Sequence, residues 1–149
     1  MKPTHAKVFF DTNTFVYALT AQDTSKAKQC TEWLIAAGNE NAAVASYQVA
    51  NEFINVLFRK FKTWSEDDVF AAAKTILALS RHTVTTNTIL VASKIRNTTQ
   101  YAWWDCIMLA CAIEQRCSHF LSEDMAGNTS VLGMAIINPT AMEPETIFS

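Results

Sequence analysis

Lys7-Val8-Phe9-Phe10-Asp11-Thr12-Asn13 is the stretch from which the rest of the chain can be read. Its first four residues are β-prone and apolar. They stop at Asp11-Thr12-Asn13, a trio suited to capping the helix that Phe15-Val16-Tyr17-Ala18-Leu19 would form. Strand, loop and helix in that order open an α/β unit.

The pattern repeats downstream. Thr24 or Ser25 can cap a helix through Trp33, Leu34 and Ile35, with Gly38 as its stop. Ala42-Ala43-Val44-Ala45 reads as a buried strand, and Ser46 then caps a helix through Glu52 to about Lys62. A further helix is expected from Ser65, with Asp68 completing a capping box, to about Ser80. His82-Thr83-Val84-Thr85 is a weaker strand candidate, followed by a helix opened by Thr86 and a loop at Asn97-Thr98-Thr99-Gln100. Asp105 starts a helix apolar nearly all round to Ile113, His119 to Ser122 form a strand, and Val131 to Ile137 form the last. Short apolar strands alternating with helices predict an α/β fold whose parallel sheet is covered by helices on both faces. Ligands of such sheets bind beyond the carboxyl ends of the strands, where Asp11 and Asp124 are expected.

At 149 residues the chain suits one domain over its whole length, and three Gly and three Pro leave little for linkers. It has no secretory pattern at Met1-Lys2-Pro3-Thr4-His5. Its longest apolar run, Cys106 to Ile113, falls far short of the roughly 20 residues a bilayer needs, so a soluble, cytoplasmic protein without membrane attachment is expected. Cys30, Cys106, Cys111 and Cys117 lack metal or redox spacing and read as buried thiols. His5, His82 and His119 are scattered and are assigned structural roles. The net charge of −2 runs against a nucleic-acid binder, unless several acids are gathered around a cation.

Taken singly, Asp11 and Asp105 can be helix caps, Asp124 a loop residue before Gly127, and Glu52 a solvated helix acid. Convergence changes their meaning. Each close pair would repel by roughly 4 kcal/mol at about 4 Å and an effective dielectric near 20, against a typical domain stability of roughly 5–15 kcal/mol. A divalent cation relieves that repulsion, and oxygen ligands without His or Cys select Mg²⁺, with Mn²⁺ as the second choice. Such an ion suits phosphodiester cleavage by activated water.

Lys7-Val8-Phe9-Phe10-Asp11-Thr12-Asn13, Ser46 followed by Asn51-Glu52, Trp104-Asp105, and Leu121-Ser122-Glu123-Asp124-Met125 together resemble the PIN-domain ribonucleases. Within that family they are similar to VapC-type toxins of toxin–antitoxin pairs. The resemblance runs from Lys7 to Pro139 and implies a five-stranded parallel sheet between helices. It further implies a metal-dependent endoribonuclease that cleaves single-stranded or structured RNA, paired with a cognate antitoxin. By similarity Asp11, Asp105 and Asp124 hold the metal directly or through water, Glu52 completes the catalytic acidic ring, and Thr12 or Asn13 orients a ligand. Glu123 is expected to be a bystander because its side chain points away from that of Asp124. Asn128 stands where some relatives carry another polar or acidic group.

Other readings fit less well. A haloacid-dehalogenase-type phosphatase wants a second Asp where Asn13 stands, and a phospho-accepting receiver domain wants an acidic pair and a later Lys. The alternative from another class is a non-catalytic PIN-like module that binds RNA or protein, against which the four intact acids argue.

Two surfaces carry further expectations. Around the helix of Glu52, Gln48, Asn55 and Arg59 form a polar face. Val49, Phe53, Ile54, Val56, Leu57, Phe58, Phe61 and Trp64 spread over roughly 200°, wider than a surface helix needs. A homodimer partner or an antitoxin segment is expected to cover that arc, with burial inside the monomer as the plainer reading. Arg59, Lys60, Lys62, Arg81, Lys94 and Arg96 can either steer a phosphate backbone or complement helix ends.

Overall fold

The computed structural model describes residues 6–125 and 129–148. Strand β1 (Val8–Phe10) carries three fully buried side chains. Successive strand residues point to opposite faces, so full burial of all three means that both faces are covered. β1 pairs in parallel with β2 (Ala43–Val44) and with β3 (His119–Leu121), and β3 pairs in parallel with β5 (Met134–Ile137). The register Phe9 to Phe120 is reinforced by ring stacking at 5.1 Å.

The sheet is mixed rather than wholly parallel. The last apolar run is a hairpin: β4 (Ser130–Val131) lies antiparallel on β5, giving the order β2-β1-β3-β5-β4. Leu132 and Gly133 turn it with φ of 47° and 84°. Two positive φ values in succession are what a tight hairpin requires, and a leucine in the first place carries no Asn-Gly or Asp-Gly signature.

Among the described residues six α-helices connect the strands: α1 (Thr12–Leu19), α2 (Ser25–Asn39), α3 (Tyr47–Lys60), α4 (Glu66–Ala78), α5 (Thr86–Thr99) and α6 (Trp103–Glu114). They pack as consecutive pairs, α1 on α2, α3 on α4 and α5 on α6. Asp11, Thr24, Ser46, Ser65 and Thr85 cap the first five, each accepting from the amide three residues on. The reciprocal capping box belongs to Thr85 and Thr88 of α5, not to Ser65 and Asp68.

Several boundaries differ from expectation for local reasons. α2 continues through Gly38 to Asn39, and the left-handed turn is made by Asn41 at φ 53°. Residues 82–85 form no strand. Ser80 alone bridges to Ala45, and Thr85 is engaged as a cap. Asn97 to Thr99 are helical, with the Thr98 and Thr99 hydroxyls donating to Ile95 O at 3.1 and 2.8 Å, and left-handed Gln100 ends the helix. Asp105 is not the cap of α6, which starts at Trp103 after Ala102 without a side-chain cap.

The wide arc of α3 is mostly internal. Val49, Phe53 and Leu57 are buried, while Ile54, Phe61 and Trp64 pack against the core. Phe58 stays 43% exposed, edge to face with half-exposed Phe70 of α4. The four cysteines are free and buried, as expected, and burial pushes the thiols of Cys30, Cys111 and Cys117 up to about 12, which leaves them unreactive. No described helix is long and apolar enough to cross a membrane.

Candidate active site

Asp11 follows directly on β1, and its amide donates to Leu121 O at 3.3 Å, which ties the start of α1 to the carboxyl end of β3. Its Oδ1 accepts from the Thr14 amide at 2.9 Å and the Thr14 hydroxyl at 2.6 Å. Burial pushes the Asp11 carboxyl up to about 6; bonds from Thr14 and Ser122 pull it down, and Asp124 adds a like-charge push. As an N-cap Asp11 has a structural duty, which the sequence alone also suggested.

The remaining acids come from three other elements. Glu52 lies in the second turn of α3, with Oε2 accepting from Thr12 Oγ1 at 2.9 Å and Oε1 from Gln48 Nε2 at 3.4 Å. Asp105 sits half-buried in the first turn of α6, its carboxyl pushed up by desolvation and then by Glu52 and Asp124. Asp124 follows β3 and accepts from Asn13 Nδ2 at 3.4 Å. All four acids, with Thr12 and Asn13, line one pocket of about 160 Å³. Val56, Met108 and Met125 give it an apolar wall, and among the described residues no Lys or Arg lines it.

Three contributors escaped the sequence reading. The Ser122 hydroxyl bonds to Asp11 and accepts from the Met125 amide at 3.1 Å, shaping the turn that carries Asp124. Tyr101 Oη donates to Met125 O at 2.8 Å and braces the same turn from the α5–α6 connection. Met108 belongs to a helix whose all-round apolarity hides which face meets the pocket. Ser122 is brought beside Asp11 by the register of Phe10 to Leu121, which puts the residues after each strand side by side.

Other candidates lie elsewhere. Glu123 pairs with Lys26 of α2 and does not line the acid pocket. Asn128 and His5 fall outside the described residues. His82 Nε2 lies 2.7 Å from Glu114 Oε1, a carboxylate that also accepts from Asn87 and Thr88. Arg81 donates to Ala78 O and Arg96 to Gln100 O, so both satisfy carbonyls at helix ends.

Among the described residues no three His, Cys, Asp or Glu side chains form a ready-made metal cage. The donor set nevertheless fits a hard divalent cation. Mg²⁺ characteristically takes one or two carboxylates and keeps several waters rather than filling an all-protein cage. Two of these acids have raised proton affinity, and among the described residues no Lys or Arg in the lining neutralises them.

The PIN domain family model matches residues 8–126, a span that holds all four acids. This chain belongs to the PIN domain family. PIN domains are generally nucleases, and the α/β sheet flanked by helices is the PIN-like architecture. Among solved structures, this PIN domain is similar to a chain of "Toxin-antitoxin complex from Klebsiella pneumoniae". The TM-score is 0.65 over 89% of this chain and 98% of that one, at 14% identity, which is a likeness of fold. No curated protein sequence matches it.

Proposed function

We propose that this PIN domain is a Mg²⁺- or Mn²⁺-dependent endoribonuclease, the toxin of a cytoplasmic toxin–antitoxin pair. The observation that carries the reading is the pocket in which Asp11, Glu52, Asp105 and Asp124 meet from four separate elements, with no Lys or Arg among its described lining residues. A phosphodiester would be repelled from such a site unless a cation stood between them. Asp11, Asp105 and Asp124 are the proposed ligands, directly or through water, with Glu52 completing the ring. A divalent ion held there supplies a more acidic water and neutralises charge on the phosphoryl oxygens.

The chain's own groups position the acids. Thr14 holds the Asp11 carboxylate, Thr12 and Gln48 hold the two oxygens of Glu52, and Asn13 steadies Asp124. Thr12 and Asn13 are also placed to orient a ligand, since both line the pocket. With Mg²⁺ or Mn²⁺ the purified protein is expected to cleave single-stranded RNA to 5′-phosphate ends, and EDTA is expected to abolish cleavage. End-group analysis checks this. Cyclic phosphate products, or cleavage that survives EDTA, would overturn it.

The antitoxin partner is proposed from the likeness to a chain of a toxin–antitoxin complex, and the exposed Phe58 edge of α3 is its proposed contact, shared with a second copy of the chain in the unbound toxin. Phe58→Ala is expected to weaken assembly, where an aromatic anchor contributes about 2 kcal/mol or more, and to leave the melt nearly unchanged. Phe61→Ala is expected to do the opposite, because Phe61 packs on the core and against Trp64 at 6.0 Å. Sedimentation of both variants, alone and with the antitoxin, beside thermal melts, separates the two effects.

A further inference from the structure

A second cleft, about 660 Å³ in volume, adjoins the acid pocket and shares Glu52 with it. Its walls are the N-terminal half of α3, the non-helical segment 82–84 and the first turn of α6. Trp104 is 63% exposed, the largest exposure of any large hydrophobic side chain described, and Tyr47 and Val84 beside the same cleft are 44% and 46% exposed. Asn51 and Asn55, one turn apart on α3, add exposed amides. Among the described residues no Lys or Arg lines this cleft, Glu52 is its one carboxylate, and His82, which also lines it, is already paired with Glu114 at 2.7 Å.

That lining is wrong for a phosphate and right for a base. Indole and phenol rings offer stacking faces to any base, and Asn amides, with donors and an acceptor each, suit base edges. Trp104 and Asp105 are consecutive in the first turn of α6, so the cleft-lining indole is covalently next to a pocket-lining carboxylate. We propose that this cleft binds an unpaired nucleobase of single-stranded RNA, stacked on Trp104 and Tyr47, next to the phosphate presented to the acids. This rests on the nuclease reading above and deepens it. Base recognition here would make cleavage depend on a splayed base and so discriminate against duplex.

The test measures binding apart from cleavage. A fluorescently labelled seven-nucleotide RNA is titrated in Ca²⁺ with the parent, Trp104→Ala, Trp104→Phe and Tyr47→Ala, and again with an abasic ribose walked along the RNA. Trp104→Ala is expected to bind about tenfold more weakly, with Trp104→Phe recovering part of the loss. One abasic position is expected to cost the parent a similar factor and to cost Trp104→Ala nothing further. Unchanged affinity in Trp104→Ala, equal abasic penalties in both proteins, or no binding by the parent would overturn the proposal. So would a fall in sedimenting mass for Trp104→Ala at unchanged RNA affinity, which would assign the cleft to a second copy of the chain. The expected binding pattern without Mg²⁺-dependent cleavage would instead sink the nuclease reading and leave the base cleft standing. Cleavage with Mg²⁺ that is indifferent to Trp104 would do the reverse.

Discussion

Asp105→Asn is expected to lower RNA cleavage by about 10²–10³-fold, the scale on which removing one element of a preorganised electrostatic site acts. The case rests on what Asp105 does not do. It is not the cap of α6, and that helix has no side-chain cap at all, so the substitution removes no capping bond. Its ionisation is opposed by desolvation, Glu52 and Asp124, offset only by a helix-terminus interaction of about 0.3–1 kcal/mol. A cation bound beside it would favour the ionised form against these influences. Single-turnover cleavage is the measurement, with Asp124→Asn expected to behave alike. Mg²⁺ should also raise the melting temperature of the parent more than that of Asp105→Asn, because a ligand stabilises only the fold that binds it. Cleavage by Asp105→Asn at the parental rate would remove Asp105 from the machinery.

Without metal, Asp11→Asn is expected to melt above the parent at pH 7. Asp11 binds its proton more tightly in the fold, at about 6, than in the unfolded chain, taken at 3.8. Below that lower value the carboxyl is protonated in both states and costs the fold nothing. As pH rises from about 4 through 6 the unfolded chain releases its proton first, and the fold loses stability on the order of 3 kcal/mol. Asn keeps one oxygen to accept from the Thr14 amide and hydroxyl and carries no charge, while the oxygen it replaces by an amide nitrogen weakens acceptance from Ser122 and trims the gain. The gain should therefore be roughly 6–12 °C at pH 7 for a chain of this size, shrinking toward zero near pH 4. Melts of both proteins in EDTA across that range check the sign. An Asp11→Asn protein that melts below the parent at pH 7 would mean that the capping bond outweighs the cost of burying the charge.

Four helix caps were legible in the sequence, at Asp11, Thr24, Ser46 and Ser65, because a Ser, Thr or Asp bonds an amide three residues away and the whole device lies within one turn; Thr85, read as part of a strand, instead caps α5. The strand cores at residues 8–10, 43–44 and 119–121 were legible too, since burial on both faces demands an unbroken apolar run. So were the four acids, through their order and surroundings, though not their meeting. Tertiary structure alone decided what depends on distant partners. Asn13 finds Asp124 across 111 positions of chain. Residues 82–85 failed to form a strand because only Ser80 found a bridge, at Ala45. The last run folded back on itself and made the sheet mixed, because the left-handed Leu132 is held by pairing rather than by its own preference. The arc of α3 divided between core and surface only when α4 packed beside it, leaving Phe58 exposed and Phe61 covered. Local hydrogen bonds are written within a turn of the residues that make them, whereas pairing, burial and the space between elements belong to residues far apart in the chain.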